Sequence, residues 1–262
     1  METNTAISTF KSGKMEVNIF PAKDEMGKAA AKDVSEAIRE LLEKKEEINM
    51  IFAAAPSQDE VLKYLTADKS IPWNRINAFH MDEYFGLEKD APQSFGNYLK
   101  ERIFEKVPFK SVHYINGASS DIPSECEKYT QLLMDNPVDI VCLGIGENGH
   151  IAFNDPSVAD FNDKKLVKEV LLEQVCRQQQ VNDNCFASLD LVPLKAITLT
   201  IPALMRAKYM FCSVPSKFKA NAVYNTLYGK ISEECPASIL RTKENTILYL
   251  DKDSAYLLNT TQ

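Results

Sequence analysis

Strand-length apolar runs alternate with helical stripes along most of this chain, and that alternation limits the possible folds more than any other feature. "MEVNIF" sets Val17 and Ile19 at period two, and residues 24–44 then carry Met26, Ala29, Ala30, Val34, Ala37, Ile38, Leu41 and Leu42 as a helical stripe. "INMIFAAA" (48–55) is again of strand length, and Ser57 with Glu60 spells a capping box that opens a helix near "DEVLKYL". "INAFHMDEYF" (76–85) reads as a strand running into a loop. Ser94 opens a helix through Phe104, and Ser124 with Glu127 forms a second capping box for a helix to about Met134. A strand follows to Leu143, and "AITLTI" (196–201), "YMFCSV" (209–214), a helix over 216–228, "TILYL" (246–250) and a short last helix complete the order.

Strands alternating with helices predict the α/β class, with a mostly parallel central sheet covered on both faces. The expected architecture is a single-domain, Rossmann-like three-layer sandwich over residues 1–262. Ligands of such sheets bind beyond the carboxyl ends of the strands, near a switch in strand order. Four predicted strand ends carry polar groups: Ser57 with Gln58, the segment from His80 to Glu83, the segment from Gly144 to His150, and Ser216 with Lys217. Their convergence on one crevice would make an active site.

Composition narrows the function. The net charge of -7 disfavours a nucleic-acid partner, whose affinity rests mainly on Lys and Arg neutralising phosphates. It leaves room for an anionic small molecule, which a few local donors can hold. No window of 18 apolar residues suggests a membrane span, and the first twenty residues lack a signal-peptide pattern. Six cysteines, none in C-x-x-C spacing and two of them (Cys142 and Cys212) inside apolar runs, read as reduced thiols in a cytoplasmic protein.

The stretch "VDIVCLGIGENGHIAFNDP" (138–156) carries Gly144, Gly146 and Gly149 as G-x-G-x-x-G after an apolar strand, the fingerprint of a dinucleotide-binding turn. That reading requires a helix to open at the glycines. Here His150 follows the third glycine at once, and Pro156 stands seven residues after it, where it opposes a long helix. The alternative is a loop that brings a histidine to a substrate, its glycines allowing close backbone approach. A histidine that merely bonds a turn is the plainer reading of an isolated imidazole. The loop position, with Asn148 and Asp155 nearby, favours a proton carrier held by a carboxylate. In "FHMDEYFGL", Asp82 and Glu83 stand at a strand end, where one can serve as a catalytic carboxylate or both as a solvated turn. His80, Asp82, His150 and Asp155 are of metal-ligand type, but no metal is expected.

Taken together, "LGIGENGHIAFNDP" and "MDEYFGL" resemble two signature blocks of the glucosamine-6-phosphate deaminase/isomerase family, within the group that includes 6-phosphogluconolactonases. "GHIAFNDP" is similar to the deaminase branch. The resemblance implies conversion of an aldose amino-sugar phosphate to a ketose phosphate with release of ammonia, without metal or organic cofactor. It implies Asp82 as the base that moves the C2 proton to C1, His150 as the group that assists ring opening, and Asp155 and Asn148 as its orienting partners. Glu83 would support the Asp82 loop. Asp155 stands where the family usually has Glu, and Asn148 where some members have Asp.

The family's phosphate loop is rich in Gly and Thr or Ser, whereas this chain has "AAAPSQDEVL". Lys217, in "PSKFKA", matches a phosphate-binding lysine, while the phosphate arginine falls at Asn182, with Arg177 nearby. The implied substrate-binding set is Ser57, Gln58, Glu83, Gly146, Arg177 and Lys217, for a small-molecule sugar phosphate. A galactosamine 6-phosphate substrate, a lactonase and a non-catalytic sugar-phosphate sensor are the competing readings, and a homo-oligomer is left open.

Overall fold

The protein is described by a computed structural model over residues 5–260. Strands β1 (Ser8–Ser12) and β2 (Met15–Phe20) form a hairpin, and helix α1 (Lys23–Leu42) leads into β3 (Ile48–Phe52). Helix α2 (Asp59–Ala67) precedes β4 (Ile76–His80), and β5 (Asp82–Tyr84) begins after one intervening residue, Met81. Helix α3 (Phe95–Leu99) runs into a π-helical turn over Lys100–Phe104 and then β6 (Ser111–His113). Helix α4 (Ile122–Asp135), β7 (Ile140–Leu143), β8 (Val167–Leu171) and α5 (Gln174–Asn182) follow. The remainder is β9 (Lys195–Leu199), α6 (Ile201–Met205), β10 (Tyr209–Val214), α7 (Ala220–Tyr228) and β11 (Thr246–Asp251).

Eight strands form the central sheet in the order β1-β2-β11-β10-β7-β3-β4-β6. Every neighbouring pair is parallel except β1 with β2. The expected mostly parallel α/β sandwich is therefore present. From β3 the chain winds outward through β4 to β6, and from β7 it winds the other way through β10 to β11. The strand order switches between β3 and β7, and a crevice opens at the carboxyl ends of that pair.

Alternation along the strands sends side chains to both faces. Ile140 and Cys142 of β7 join one apolar cluster, which α1, α2 and α3 cover with Met26, Val34, Ile38, Val61, Leu65 and Leu99. Val141 and Leu143 join the other, which α4, α6 and α7 cover with Tyr129, Leu133, Leu204, Val223 and Leu227. Each buried Leu, Ile or Val contributes about 1.5–3 kcal/mol relative to an exposed one, so both helical layers are held mainly by these stripes.

Three local expectations are corrected. The apolar run over 76–85 is two strands, because the chain leaves the central sheet at Met81. β5 pairs antiparallel with β9, and β9 with β8, in a separate three-stranded sheet. "AITLTI" therefore belongs to this small sheet.

Neither predicted capping box forms. Helix α2 continues from a 3-10 turn at Pro56–Gln58 without a side-chain cap, and Glu60 pairs with Lys23 Nζ at 2.8 Å. At α4 the cap is Asp121, whose carboxylate accepts from Ser124 N–H at 3.0 Å. Ser94 does cap α3, accepting from Asn97 N–H at 3.2 Å.

No helix opens at the glycine stretch. The Gly146 N–H donates to His150 O at 2.9 Å and the Gly149 N–H to Gly146 O at 3.0 Å, closing a tight loop. All six cysteines are free. Among the described residues no helix is long and apolar enough to cross a membrane.

Candidate active site

Loops after β2, β3, β4, β7, β10 and β11 surround one cleft of about 530 Å³, and α5 adds Gln179, Gln180 and Asp183 to its wall. All four polar strand ends singled out from the sequence reach it, through Ser57, Asp82, the Gly144 to His150 loop, and Ser216. Two more arms, Pro21 to Lys23 after β2 and Asp251 to Asp253 after β11, carry no motif that would have announced them.

The histidine loop is shaped around its imidazole. His150 Nδ1 lies 2.7 Å from Asn148 Oδ1 and 3.1 Å from Asp155 Oδ1. Two acceptors on Nδ1 keep a proton there, so Nε2 carries the lone pair and is the nitrogen left for the cleft. Asp155 is fully buried; its Oδ1 also accepts from Asn148 Nδ2 at 2.9 Å and its Oδ2 from Glu173 N–H at 3.0 Å. Burial pushes this carboxyl up, but the His150 ring and these donors outweigh it, and the net shift is downward.

Gly146 makes room for the ring: a Cβ there would stand 2.1 Å from His150 Cε1. Gly149 takes φ +85°, a conformation that L side chains rarely adopt, and packs on Cys235.

Asp82 faces the same cleft from the small sheet. It is buried, and desolvation, with Glu83 adjacent, holds its carboxyl well above the ordinary value. Across the β5–β9 ladder its partner is Thr198, whose Oγ1 accepts the Phe153 N–H of the histidine loop at 3.0 Å. Asn154 Nδ2 fastens the same loop to Leu199 O at 2.9 Å. The acid and the imidazole are thus positioned through one strand, β9.

Other predicted residues lie elsewhere. Lys217 is exposed, with its Nζ 4.5 Å from the Tyr256 ring centroid, and does not line the cleft. Lys219 lines it instead: it is 6 % exposed, and its ammonium has no hydrogen-bond partner among the described residues. Burial lowers its pKa, against the opposing pull of Asp183 and Glu147. The signal was present in the sequence, because Lys219 is in phase with the buried α7 stripe of Ala222, Val223, Thr226 and Leu227.

Arg177 spends its guanidinium on Leu189 O at 2.6 Å and Val192 O at 2.9 Å, clamping a loop rather than facing the cleft. Asn182 is exposed and donates to Glu147 Oε1 at 3.3 Å. Gln58 is buried with its amide donating to Leu143 O at 3.1 Å and Ser213 O at 3.3 Å, a brace across two strand ends. Glu83 turns away and accepts from Tyr84, Phe95 and Gly96 N–H at 2.8–2.9 Å. Burial raises it to about 7.

The ligand set His80, Asp82, His150 and Asp155 does not assemble. The His80 ring is consumed by Asp82 O at 2.8 Å and Ile115 N–H at 2.9 Å, and burial lowers it to about 4. His150, Asp155 and Cys176 do bring ligand atoms within 4.8 Å of one another. The Asp155 oxygens are already engaged, however, and burial holds the Cys176 thiol well above its ordinary value, so it stays protonated.

The chain matches the family model of glucosamine-6-phosphate isomerases and 6-phosphogluconolactonases over residues 21–249. It is 32% identical over 243 residues to a glucosamine-6-phosphate deaminase of Bacillus cereus strain B4264, covering 93% of this chain and 89% of that protein. With the Clostridium acetobutylicum glucosamine-6-phosphate deaminase it shares 33% identity over 239 residues, 90% of this chain and 96% of the other. A solved monomeric glucosamine-6-phosphate deaminase superposes with TM-score 0.82 at 30% identity, covering 92% of this chain and 99% of that one. The 6-phosphogluconolactonase of Thermotoga maritima superposes at 0.72 with 26% identity, over 90% and 100% of the respective chains.

Proposed function

We propose, from the premise that this chain belongs to the glucosamine-6-phosphate isomerase/6-phosphogluconolactonase family, that it is an amino-sugar-phosphate deaminase converting glucosamine 6-phosphate to fructose 6-phosphate and ammonia. The observation that carries this reading is the pairing, across one cleft, of the buried Asp82 carboxyl with an imidazole whose Nδ1–H is held by Asn148 and Asp155.

His150 Nε2 would shuttle the proton between the C1 hydroxyl and the ring oxygen as the sugar opens. Ionised Asp82 then takes the proton from C2 and returns it to C1, which leaves an imine at C2. Water adds to that carbon and ammonia departs. Burial that raises Asp82 makes it a stronger base once it is ionised. Lys219 and Ser57 are the groups assigned to the 6-phosphate, in place of Lys217 and Arg177. The steps call on no metal or organic cofactor.

The solved monomeric relative supports a reaction that a single copy carries out. Six free cysteines accord with a cytoplasmic site of action, where thiols stay reduced.

The test is an assay of ammonia and fructose 6-phosphate formed by the purified protein from glucosamine 6-phosphate. Stoichiometric formation of both is expected. Hydrolysis of 6-phosphogluconolactone with no ammonia from the amino sugar would overturn the reading in favour of a lactonase.

A further inference from the structure

The distal wall of the cleft carries an unusual balance of charge for a phosphate site. Lys219 is its buried cation, and the ammonium has no hydrogen-bond partner among the described residues. A buried ammonium without acceptors is costly, so it is aimed at a ligand oxygen. Around it, however, stand acids. Asp183, one residue beyond α5, lines the same cleft, and its negative charge opposes the burial that lowers the Lys219 pKa. Glu147 of the histidine loop opposes it in the same sense.

These acids are fixed in place. Gln179 joins them, its Oε1 accepting the Glu147 N–H at 2.8 Å and its Nε2 reaching Asp183 Oδ2 at 3.4 Å. The other lysine near the cleft with a defined partner, Lys23, is committed to Glu60. A dianionic phosphate placed against Lys219 would therefore meet one buried cation and the Asp183 carboxylate in the same cleft lining, with Lys252 exposed on the arm after β11 and the guanidinium of Arg177 turned away on Leu189 and Val192 carbonyls.

We propose that Asp183 is a specificity-determining residue that offsets the Lys219 charge, so that this site deaminates the unphosphorylated amino sugar as well as its 6-phosphate. The inference rests on the amino-sugar deaminase reading above and names the substrate range of that site. Lys219 then donates to the O6 hydroxyl or to a phosphate oxygen alike, and the Gln180 amide offers a neutral donor that suits either group.

The experiment compares kcat/KM for glucosamine 6-phosphate and for glucosamine, by ammonia release, in wild type, Asp183→Asn and Asp183→Ala, with melting curves to show that each variant is folded. Both sugars are expected to turn over in wild type. The ratio favouring the phosphorylated sugar should rise about tenfold or more when the facing charge is removed. Calorimetry with inorganic phosphate reads the same change without turnover, as tighter binding to Asp183→Asn than to wild type. A ratio and a phosphate affinity that move less than about twofold in both variants, or wild-type activity confined to the 6-phosphate, would overturn the proposal. Absence of ammonia from either sugar in wild type would instead refute the deaminase reading, and tighter phosphate binding by Asp183→Asn would still support the charge role.

Discussion

His150 Nδ1 lies 3.1 Å from Asp155 Oδ1, and this contact, with Asn148 Oδ1 at 2.7 Å, decides which ring nitrogen faces the cleft. Asp155→Asn replaces an acceptor by an amide that can rotate a donor toward the ring. The wrong tautomer would then be favoured, and kcat should fall by roughly a hundredfold or more with little change in KM. Steady-state kinetics check this. An unchanged kcat would remove Asp155 from its assigned role.

Asp82→Asn should abolish ammonia release, lowering kcat by about a thousandfold. In wild type the activity should fall as pH falls, with a midpoint above the ordinary carboxyl value, because burial raises Asp82 and the base must be ionised. Stability should move oppositely. Below the ordinary carboxyl range both chains carry a neutral side chain at position 82. As pH rises, the unfolded wild-type chain ionises first and the folded state loses stability, so the Asn variant should gain an advantage that grows with pH. Thermal melts of both chains across pH measure that difference.

Lys219→Met should raise KM for the phosphorylated sugar about tenfold to a hundredfold. It should also raise the melting temperature, since a buried ammonium without a partner is removed. Lys217→Met should leave both quantities unchanged, because that side chain lies outside the cleft against Tyr256. The pair of variants separates two lysines that stand close together in sequence.

Thr198→Val keeps the shape of the side chain but leaves the Phe153 N–H without its acceptor. A cost of about 1–3 kcal/mol in unfolding free energy is expected from the unpaired buried group. If Thr198 positions the imidazole relative to Asp82, kcat should fall while KM holds, and Thr198→Ser should restore it. Loss of stability with full kcat would leave Thr198 a structural residue only.

Much of this was legible in the sequence, for reasons that can be traced. The alternation of apolar runs and helical stripes specifies a parallel sheet because each strand must be buried on both faces. Pro156 disclosed that the glycines close a loop, since no long helix can run through it. What escaped detection depended on distances the chain does not print. Met81 looks like the middle of a strand, and only pairing with β9 shows that the chain changes sheets there. Ser57 and Ser124 have the spacing of helix caps, but a preceding 3-10 turn and Asp121 supersede them. Arg177 carries the charge a phosphate site would want, yet two backbone carbonyls consume it. Asp183 and Gln179 gave no motif at all, because their relevance arises only when α5 packs against the loop after β7.

The order of the strands has a consequence for how the molecule comes into being. β11 inserts between β2 and β10, so the β1–β2 hairpin cannot join the sheet until β11 has left the ribosome. Until then the emerging chain holds two unlinked pieces, and the cleft lacks the arms after β2 and β11. A chain stopped before Thr246 would leave β2 and β10 as open, pairing-competent edges. The place where the chemistry is proposed to occur is thus complete only once β11 has been made and has inserted between β2 and β10.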